Sequence, residues 1–250
     1  MSSQPARPLR RERRAANARR RADQRPAARE PRRIGIGLVS ILALVAAAVL
    51  IAVVVILGAK PATSTGSVIR ALAPAGIPST GRILGSATAP VTLDLYEDFQ
   101  CPACAQWGRN VFPSLIRNEL AAGTVRIAYH GFAFIGPESK DAGRAAWAAE
   151  QQGRFWDMWS TLYANQGLHE NGGSFARARL IAMADALGLD PARFAADFDS
   201  AAAATFVADG IAEAAAAGVN STPTLMIAGK ALSGSGYADV AAAIAAAGAP

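Results

Sequence analysis

Apolar and polar residues alternate along Val91-Thr92-Leu93-Asp94-Leu95-Tyr96, just after the Ala89-Pro90 break, and a two-residue period of this kind predicts a half-buried strand. Beyond it the period changes. Trp107, Val111 and Leu115 recur every four residues, with Phe112, Ile116 and Leu120 on the adjoining stripe, which predicts a helix from Pro102 to about Ala122 kinked midway by Pro113. Gly123 supplies a left-handed helix end, and Thr124-Val125-Arg126-Ile127-Ala128-Tyr129 reads as a second strand. Strand, helix and strand in that order predict a right-handed unit whose two strands run parallel.

From about 138 to 217 the strand signal is almost gone. Ala145 to Ala149, Phe155 to Tyr163, Phe175 to Leu187 and Pro191 to Phe198 carry helical spacing, divided near Gly153, Gly167 to Gly173 and Gly188 to Pro191, and the Ala-rich stretch near 201–217 is helix-forming. This predicts a helical subdomain inserted into the α/β unit, with Phe155, Trp156 and Trp159 spaced as a buried helix face rather than a ligand site. Thr224 to Ala228, a Gly229-Lys230 turn and Ala231-Leu232 then predict a β-hairpin, and a last helix covers about Tyr237 to Ala247. Residues 82–250 amount to one domain's worth of chain.

Charge changes the picture at the amino terminus. Residues 1–33 hold 12 Arg against 3 acidic residues, so the high pI belongs to this tail. It contains no aromatic residue and runs straight into apolar sequence, which favours a topogenic cluster over a nucleic-acid-binding arm. Residues 34–57 are free of charge for 24 positions, about 36 Å as a helix, long enough to span a bilayer. Arg29, Arg32 and Arg33 precede the run and only Lys60 follows closely, so the expectation is a single-pass anchor in the cell membrane, amino terminus cytoplasmic and the remainder exported. The run is too long for a cleaved signal peptide, and Lys60-Pro61 interrupts the cleavage stretch. Residues 58–81, with Pro61, Pro74, Pro78 and scattered Gly, Ser and Thr, read as a flexible linker reaching roughly 27 Å.

Candidate chemistry sits between the first strand and the first helix. Cys101 and Cys104 are the only cysteines, in Asp98-Phe99-Gln100-Cys101-Pro102-Ala103-Cys104. At this spacing two sulfurs can interconvert between dithiol and disulfide. Cys101 would stand at the helix mouth, where unpaired N–H groups and the positive end of the dipole favour a thiolate, and Pro102 suits the first helical position. Cys104, a turn further in, would be the resolving thiol. A structural zinc site lacks its four ligands, since no second C-x-x-C exists and His130 and His169 lie far apart. A purely structural disulfide would close a tiny loop and remove little unfolded-state entropy. No metal and no cofactor is expected.

The second element is Val219-Asn220-Ser221-Thr222-Pro223-Thr224. A proline leading into a strand needs an edge position or a special geometry, which a cis Thr222–Pro223 bond would supply; on the residues alone a trans bond is the expectation. Taken with the C-P-A-C pair, the helical insert carrying Arg144-Ala145-Ala146 and Phe155-Trp156, and the hairpin at Gly229-Lys230, the chain over most of 82–250 resembles the DsbA-like branch of the thioredoxin superfamily in its membrane-anchored bacterial form. The resemblance implies a thioredoxin fold with an inserted helical subdomain. It also implies Cys101 as nucleophile, a redox-active Cys101–Cys104 disulfide, Pro102 and Ala103 as active-site support, Pro223 in cis beside the pair, and Thr222 offering backbone groups to an extended substrate.

In one place the chain departs from the family. Family members often carry a buried acid six positions before the nucleophile, and here that position is Leu95. Asp94 should face the other side of the strand. Glu97 and Asp98 are nearer the pair and read equally as proton-handling groups or as a solvated acidic rim. The expected function is an extracytoplasmic thiol:disulfide oxidoreductase that donates disulfides to exported, unfolded or cysteine-containing polypeptides, with a quinone-linked membrane partner and no nucleic acid. A disulfide reductase in the same compartment and a non-catalytic binding module are the alternatives.

Overall fold

The structure, a computed structural model, describes residues 67–249. The basic tail, the apolar run at 34–57 and the first part of the linker lie outside the described residues, among which no helix is long and apolar enough to cross a membrane.

The sheet has six strands: β1 (Ser79–Thr80), β2 (Ile83–Leu84), β3 (Val91–Glu97), β4 (Val125–Gly131), β5 (Thr224–Ile227) and β6 (Lys230–Ala231), in the order β1-β2-β4-β3-β5-β6. β3 and β4 are parallel, with Leu93 opposite Ile127 and Leu95 opposite Tyr129. β5 runs antiparallel to β3 with Tyr96 opposite Thr224. That register carries the Thr222-Pro223 loop, which precedes β5, to the end of β3 from which the Cys101 loop leaves. The alternation read from the sequence is realised: Val91, Leu93 and Leu95 bury in the core, whereas Asp94 takes the other face and its Oδ1 lies 3.1 Å from His130 Nε2 as the acceptor. The hairpin of β1 and β2 was not anticipated, because strands of two residues carry no period to read.

Among the described residues eight α-helices accompany the sheet: α1 (Pro102–Asn110), α2 (Phe112–Leu115), α3 (Pro137–Glu150), α4 (Phe155–Ala164), α5 (Arg177–Ala186), α6 (Pro191–Phe198), α7 (Ala201–Ala216) and α8 (Tyr237–Ala247). The kink expected at Pro113 is a break at Val111 between α1 and α2, since proline has no N–H for the preceding turn, and α2 runs on into a π-helical turn at Ile116–Leu120. Helices α3 to α7 form the insert between β4 and β5, as the resemblance implies. Phe155, Trp156 and Trp159 are buried core residues. The hairpin turn falls one residue earlier than expected: Ile227 faces Lys230, and Ala228 and Gly229 hold φ of 50° and 74°. A two-residue hairpin loop whose twist matches the strands needs positive φ at both central positions.

Residues 68–77, expected within a flexible linker, lie along α4. Asp157, Thr161 and Asn165 stand one turn apart on that helix and take the N–H groups of Ala73, Ala71 and Ile69 at 2.7, 3.2 and 2.9 Å. Thr161 and Asn165 also donate to the carbonyls of Ala71 and Ile69. The match is geometric: two residues of extended chain rise about 6.6 Å and four helical residues about 6 Å. Composition alone suggested a tether because a strap held by another element's side chains needs no periodicity of its own.

Candidate active site

Cys101 is the N-cap of α1. Its N–H donates to the Asp98 carbonyl at 2.9 Å, its own carbonyl accepts the Ala105 N–H at 3.2 Å, and Pro102 fills the first helical position. Both cysteines are free thiols, Cys104 with no exposed surface and Cys101 with 7%. The Thr222–Pro223 bond is cis, and the Cys101 thiol donates to the Thr222 carbonyl at 3.3 Å. Two segments 121 residues apart thus meet at one sulfur. The Thr222 hydroxyl is buried without a partner and is available as a donor once that sulfur is charged.

The two sulfurs are driven apart electrostatically. Cys101 is lowered from 9.0 to about 6, chiefly by the hydrogen bond from the Cys104 thiol, with burial opposing and the Thr222 hydroxyl and the N–H groups of Cys104 and Ala103 adding. The backbone donors are the free N–H groups of the helix start. Cys104 is pushed far above its ordinary value by burial, reinforced by its hydrogen bond to Cys101 and by the Glu97 charge. At neutral pH the outer sulfur is a thiolate and the inner one a thiol.

Glu97 and Asp98 are fully buried, which excludes the solvated acidic rim. Their environments differ. Asp98 caps the active-site loop: its Oδ1 accepts the Gln100 N–H at 2.8 Å and its Oδ2 accepts the N–H groups of Phe134 and Ile135, both at 3.0 Å. Glu97 has one fixed donor close by, the Trp159 indole Nε1–H on Oε2 at 2.8 Å, while Oε1 has no partner. Burial raises its carboxyl from 4.5 to about 8, against the Trp159 indole and the nearby Tyr163 hydroxyl, which itself donates to the Asp98 carbonyl at 3.3 Å. A small cavity of about 10 Å³ adjoins it, lined among others by Asp98, Tyr129, Ser139, Gly143 and Val207. The strand period puts Glu97 on the same face as Leu95, two positions nearer the cysteines, but says nothing of what covers it there.

Other partners carried no sequence signal. Gln166 Nε2 donates to the carbonyls of Phe99 and Cys101 at 2.8 and 3.0 Å, and Gln100 Nε2 donates to Ser139 Oγ at 2.9 Å and Asn171 Oδ1 at 3.2 Å. These bonds fasten the cysteine loop to the helical insert. On the Pro223 side an open groove of about 380 Å³ is lined by Asn220, Ser221, Pro223, Leu225 and Leu232. His130 is held between Asp94 and Glu213 at 3.1 and 3.0 Å, and the described residues contain no cluster of three or more His, Cys, Asp or Glu able to hold a metal.

Comparison with known proteins gives several likenesses. A family model described as thioredoxin matches residues 78–246. A probable disulfide bond formation protein D of Bacillus cereus is 37% identical over 91 residues, 35% of this chain and 42% of that protein. A Na(+)/H(+) antiporter NhaA of Herminiimonas arsenicoxydans is 33% identical over 162 residues, 63% of this chain and 24% of that protein. The chain therefore spans less than half the length of either relative. Among solved structures, oxidised BdbD from Bacillus subtilis superposes with a TM-score of 0.63 at 22% identity, covering 71% of this chain and 99% of that one, a likeness of fold.

Proposed function

This chain belongs to the thioredoxin family, and on that premise we propose that it is a membrane-tethered, extracytoplasmic thiol:disulfide oxidoreductase of DsbA-like type that donates the Cys101–Cys104 disulfide to exported polypeptides. The observation that carries the reading is the split between the two sulfurs: one ionised at the helix mouth, the other buried and protonated. A substrate thiolate attacks Cys101 Sγ, the Cys101–Cys104 bond breaks, and its electron pair leaves on Cys104. A second substrate thiolate then attacks the substrate sulfur of the mixed disulfide and expels Cys101, a good leaving group because its thiolate is stable near neutral pH. Two electrons pass from the substrate to the pair.

The same asymmetry supports the oxidising direction. Whatever stabilises the Cys101 thiolate stabilises the dithiol form over the disulfide, and so makes the disulfide a stronger oxidant. The groove beside Pro223 and the backbone groups of Thr222 suit an extended segment carrying the substrate cysteine. The apolar run at 34–57 and the arginines before it support the tether and the export topology, and export agrees with a compartment in which disulfides persist. A quinone-linked membrane protein is the partner class that would restore the disulfide.

The test uses the full chain in detergent or membranes. Cys104→Ala should trap mixed disulfides through Cys101, and redox titration of the unaltered pair should give a potential well above that of thioredoxin, about −270 mV. Trapping with a potential near that figure would convert the assignment to a reductase. No trapped species under oxidising conditions would leave a binding module.

A further inference from the structure

His130, near the end of β4, meets a carboxylate at each of its ring nitrogens. Nε2 lies 3.1 Å from Asp94 Oδ1 on β3, and Nδ1 lies 3.0 Å from Glu213 Oε1 on α7. The ring also stacks on Tyr96, with centroids 4.5 Å apart and planes 17° from parallel. An ionised carboxylate only accepts, and a neutral imidazole has a single N–H, so both contacts are hydrogen bonds only while the ring carries two protons. With one proton, the other nitrogen turns a lone pair toward a carboxylate oxygen and that contact becomes repulsive. Asp94 is the more enclosed partner and Glu213 is half exposed, so Glu213 is the one that solvent can take over. α7 comes close enough to make this link because Gly210 has no side chain: a Cβ there would lie 2.4 Å from the Gly131 carbonyl oxygen.

Glu213 stands in the last turn of α7, and the chain that leaves this turn is the wall of the groove beside Pro223. The Glu213 carbonyl accepts the Ala217 N–H at 2.9 Å, and the Ala214 carbonyl accepts the Val219 N–H at 2.9 Å. Val219 packs with Ala214, Tyr96 and Met226 in a small apolar cluster apart from the main core, so the ring that His130 stacks on also belongs to the group that seats the loop. The groove lining begins at Ala217 and continues through Gly218, Asn220 and Ser221 to Pro223, while Thr222 sets its carbonyl on Cys101 Sγ. Resting on the disulfide-exchange reading, we infer that His130 is a positioning residue for the substrate: with two protons it ties Glu213 to the sheet and holds residues 217–222 where an extended peptide lies against them, and on losing one proton it lets that segment go. Its contacts are with the two carboxylates and Tyr96, so the effect falls on substrate binding and leaves the exchange step alone. Histidine is the side chain whose charge changes between pH 5 and 8, which makes the groove firm toward the acidic end of that range and looser toward the alkaline end. The charged groups facing the ring are Asp94 from β3 and Glu213 from α7. Tyr96 is raised above its ordinary range by burial and by those two carboxylates, and stays neutral throughout. Arg126, further back on β4, is engaged with Thr92 and the Ala87 carbonyl, and Asp209, one turn before Glu213, is exposed.

The experiment uses the full chain in detergent and measures kcat and KM for oxidation of a dithiol peptide at pH 6 and pH 8, with glutathione disulfide as the terminal oxidant. Hydrogen exchange of the Gly218 and Val219 amides, expressed as protection factors, reads the same segment without turnover. Glu213→Gln should keep the tight KM at both pH values, because an amide donates as well as accepts and pairs with either state of the ring. Relative to that variant, KM of the unaltered protein should rise about three- to fivefold from pH 6 to pH 8, and protection of the two amides should fall by a similar factor. His130→Phe keeps a ring on Tyr96 and leaves two carboxylates that solvent can reach. It should show the loose KM at both pH values, with kcat within about twofold of the unaltered protein and Cys101 ionisation, followed by thiolate absorbance, unchanged. A pH response in Glu213→Gln equal to that of the unaltered protein overturns the proton-dependent link. An unaltered KM in His130→Phe, or a loss confined to kcat, overturns the positioning role. Failure of the unaltered protein to oxidise the peptide while amide protection still responds to pH would refute disulfide exchange and leave the His130–Glu213 link standing; protection indifferent to pH refutes the link itself.

Discussion

Replacing Cys101 by Ala in the reduced protein should remove a stabilisation that depends on pH in a defined way. The native thiol is lowered from 9.0 to about 6, so it is a depressed acid. Such a group contributes stability that is fully present above the unfolded value and is lost as pH falls through the folded one. Three pH units between the two values correspond to about 4 kcal/mol at the upper limit. Cys101 sits at the mouth of the site, where solvent and salt screen its partners, so roughly half of that, about 2 kcal/mol, is the reasonable expectation by pH 9. At pH 7 the same scaling leaves about 0.7 kcal/mol, and below pH 6 about zero. Lost packing adds an offset that does not vary with pH. The raised groups, Cys104 and Glu97, are present in both proteins, and their own pH dependence largely cancels in the difference. Urea unfolding of the two proteins in excess phosphine reductant at pH 5, 6, 7, 8 and 9 gives the curve directly. A difference that stays flat from pH 6 to 9 would mean that Cys101 titrates as a free thiol, and the helix-mouth argument would be refuted.

Other consequences can be measured on the same material. Glu97→Gln should stabilise the protein at pH 7 by about 1–3 kcal/mol, because the native carboxyl is raised from 4.5 to about 8 and its cost, absent below pH 4.5, grows as pH rises between the two values; a gap that did not close on acidification would contradict this. Ala228→Asn should add about 0.5–1 kcal/mol in chemical denaturation, since a residue at φ 50° before Gly229 is better served by a side chain that tolerates left-handed backbone. Thr161→Val combined with Asn165→Ala should free the strap, at a cost of about 2 kcal/mol, and speed tryptic cleavage after the exposed Arg70. A fragment that begins near residue 81 would lack that strap and should show the same loss of stability.

Local pattern decided a good deal. The two-residue period at 91–96, the four-residue period after Cys101 and the C-P-A-C pair between them locate the strand, the helix and the reactive sulfur, because period and helix-start chemistry depend on neighbours a few positions away. Asp94 could be assigned to the face opposite Leu95 on the same ground. The features that required the tertiary structure all join distant positions. Whether Glu97 lay at a wet rim or inside depended on α4 bringing Trp159 over it, 62 residues away, and the ambiguity could not be resolved from β3 alone. The docking of Gln166 on the Cys101 carbonyl and of the strap on α4 spans 65 to 96 residues and leaves no trace in either segment's own composition. Hydrogen-bonding side chains such as Gln, Asn and Thr look alike wherever they stand in a sequence; what each one satisfies is set by which backbone group the fold brings within 3 Å.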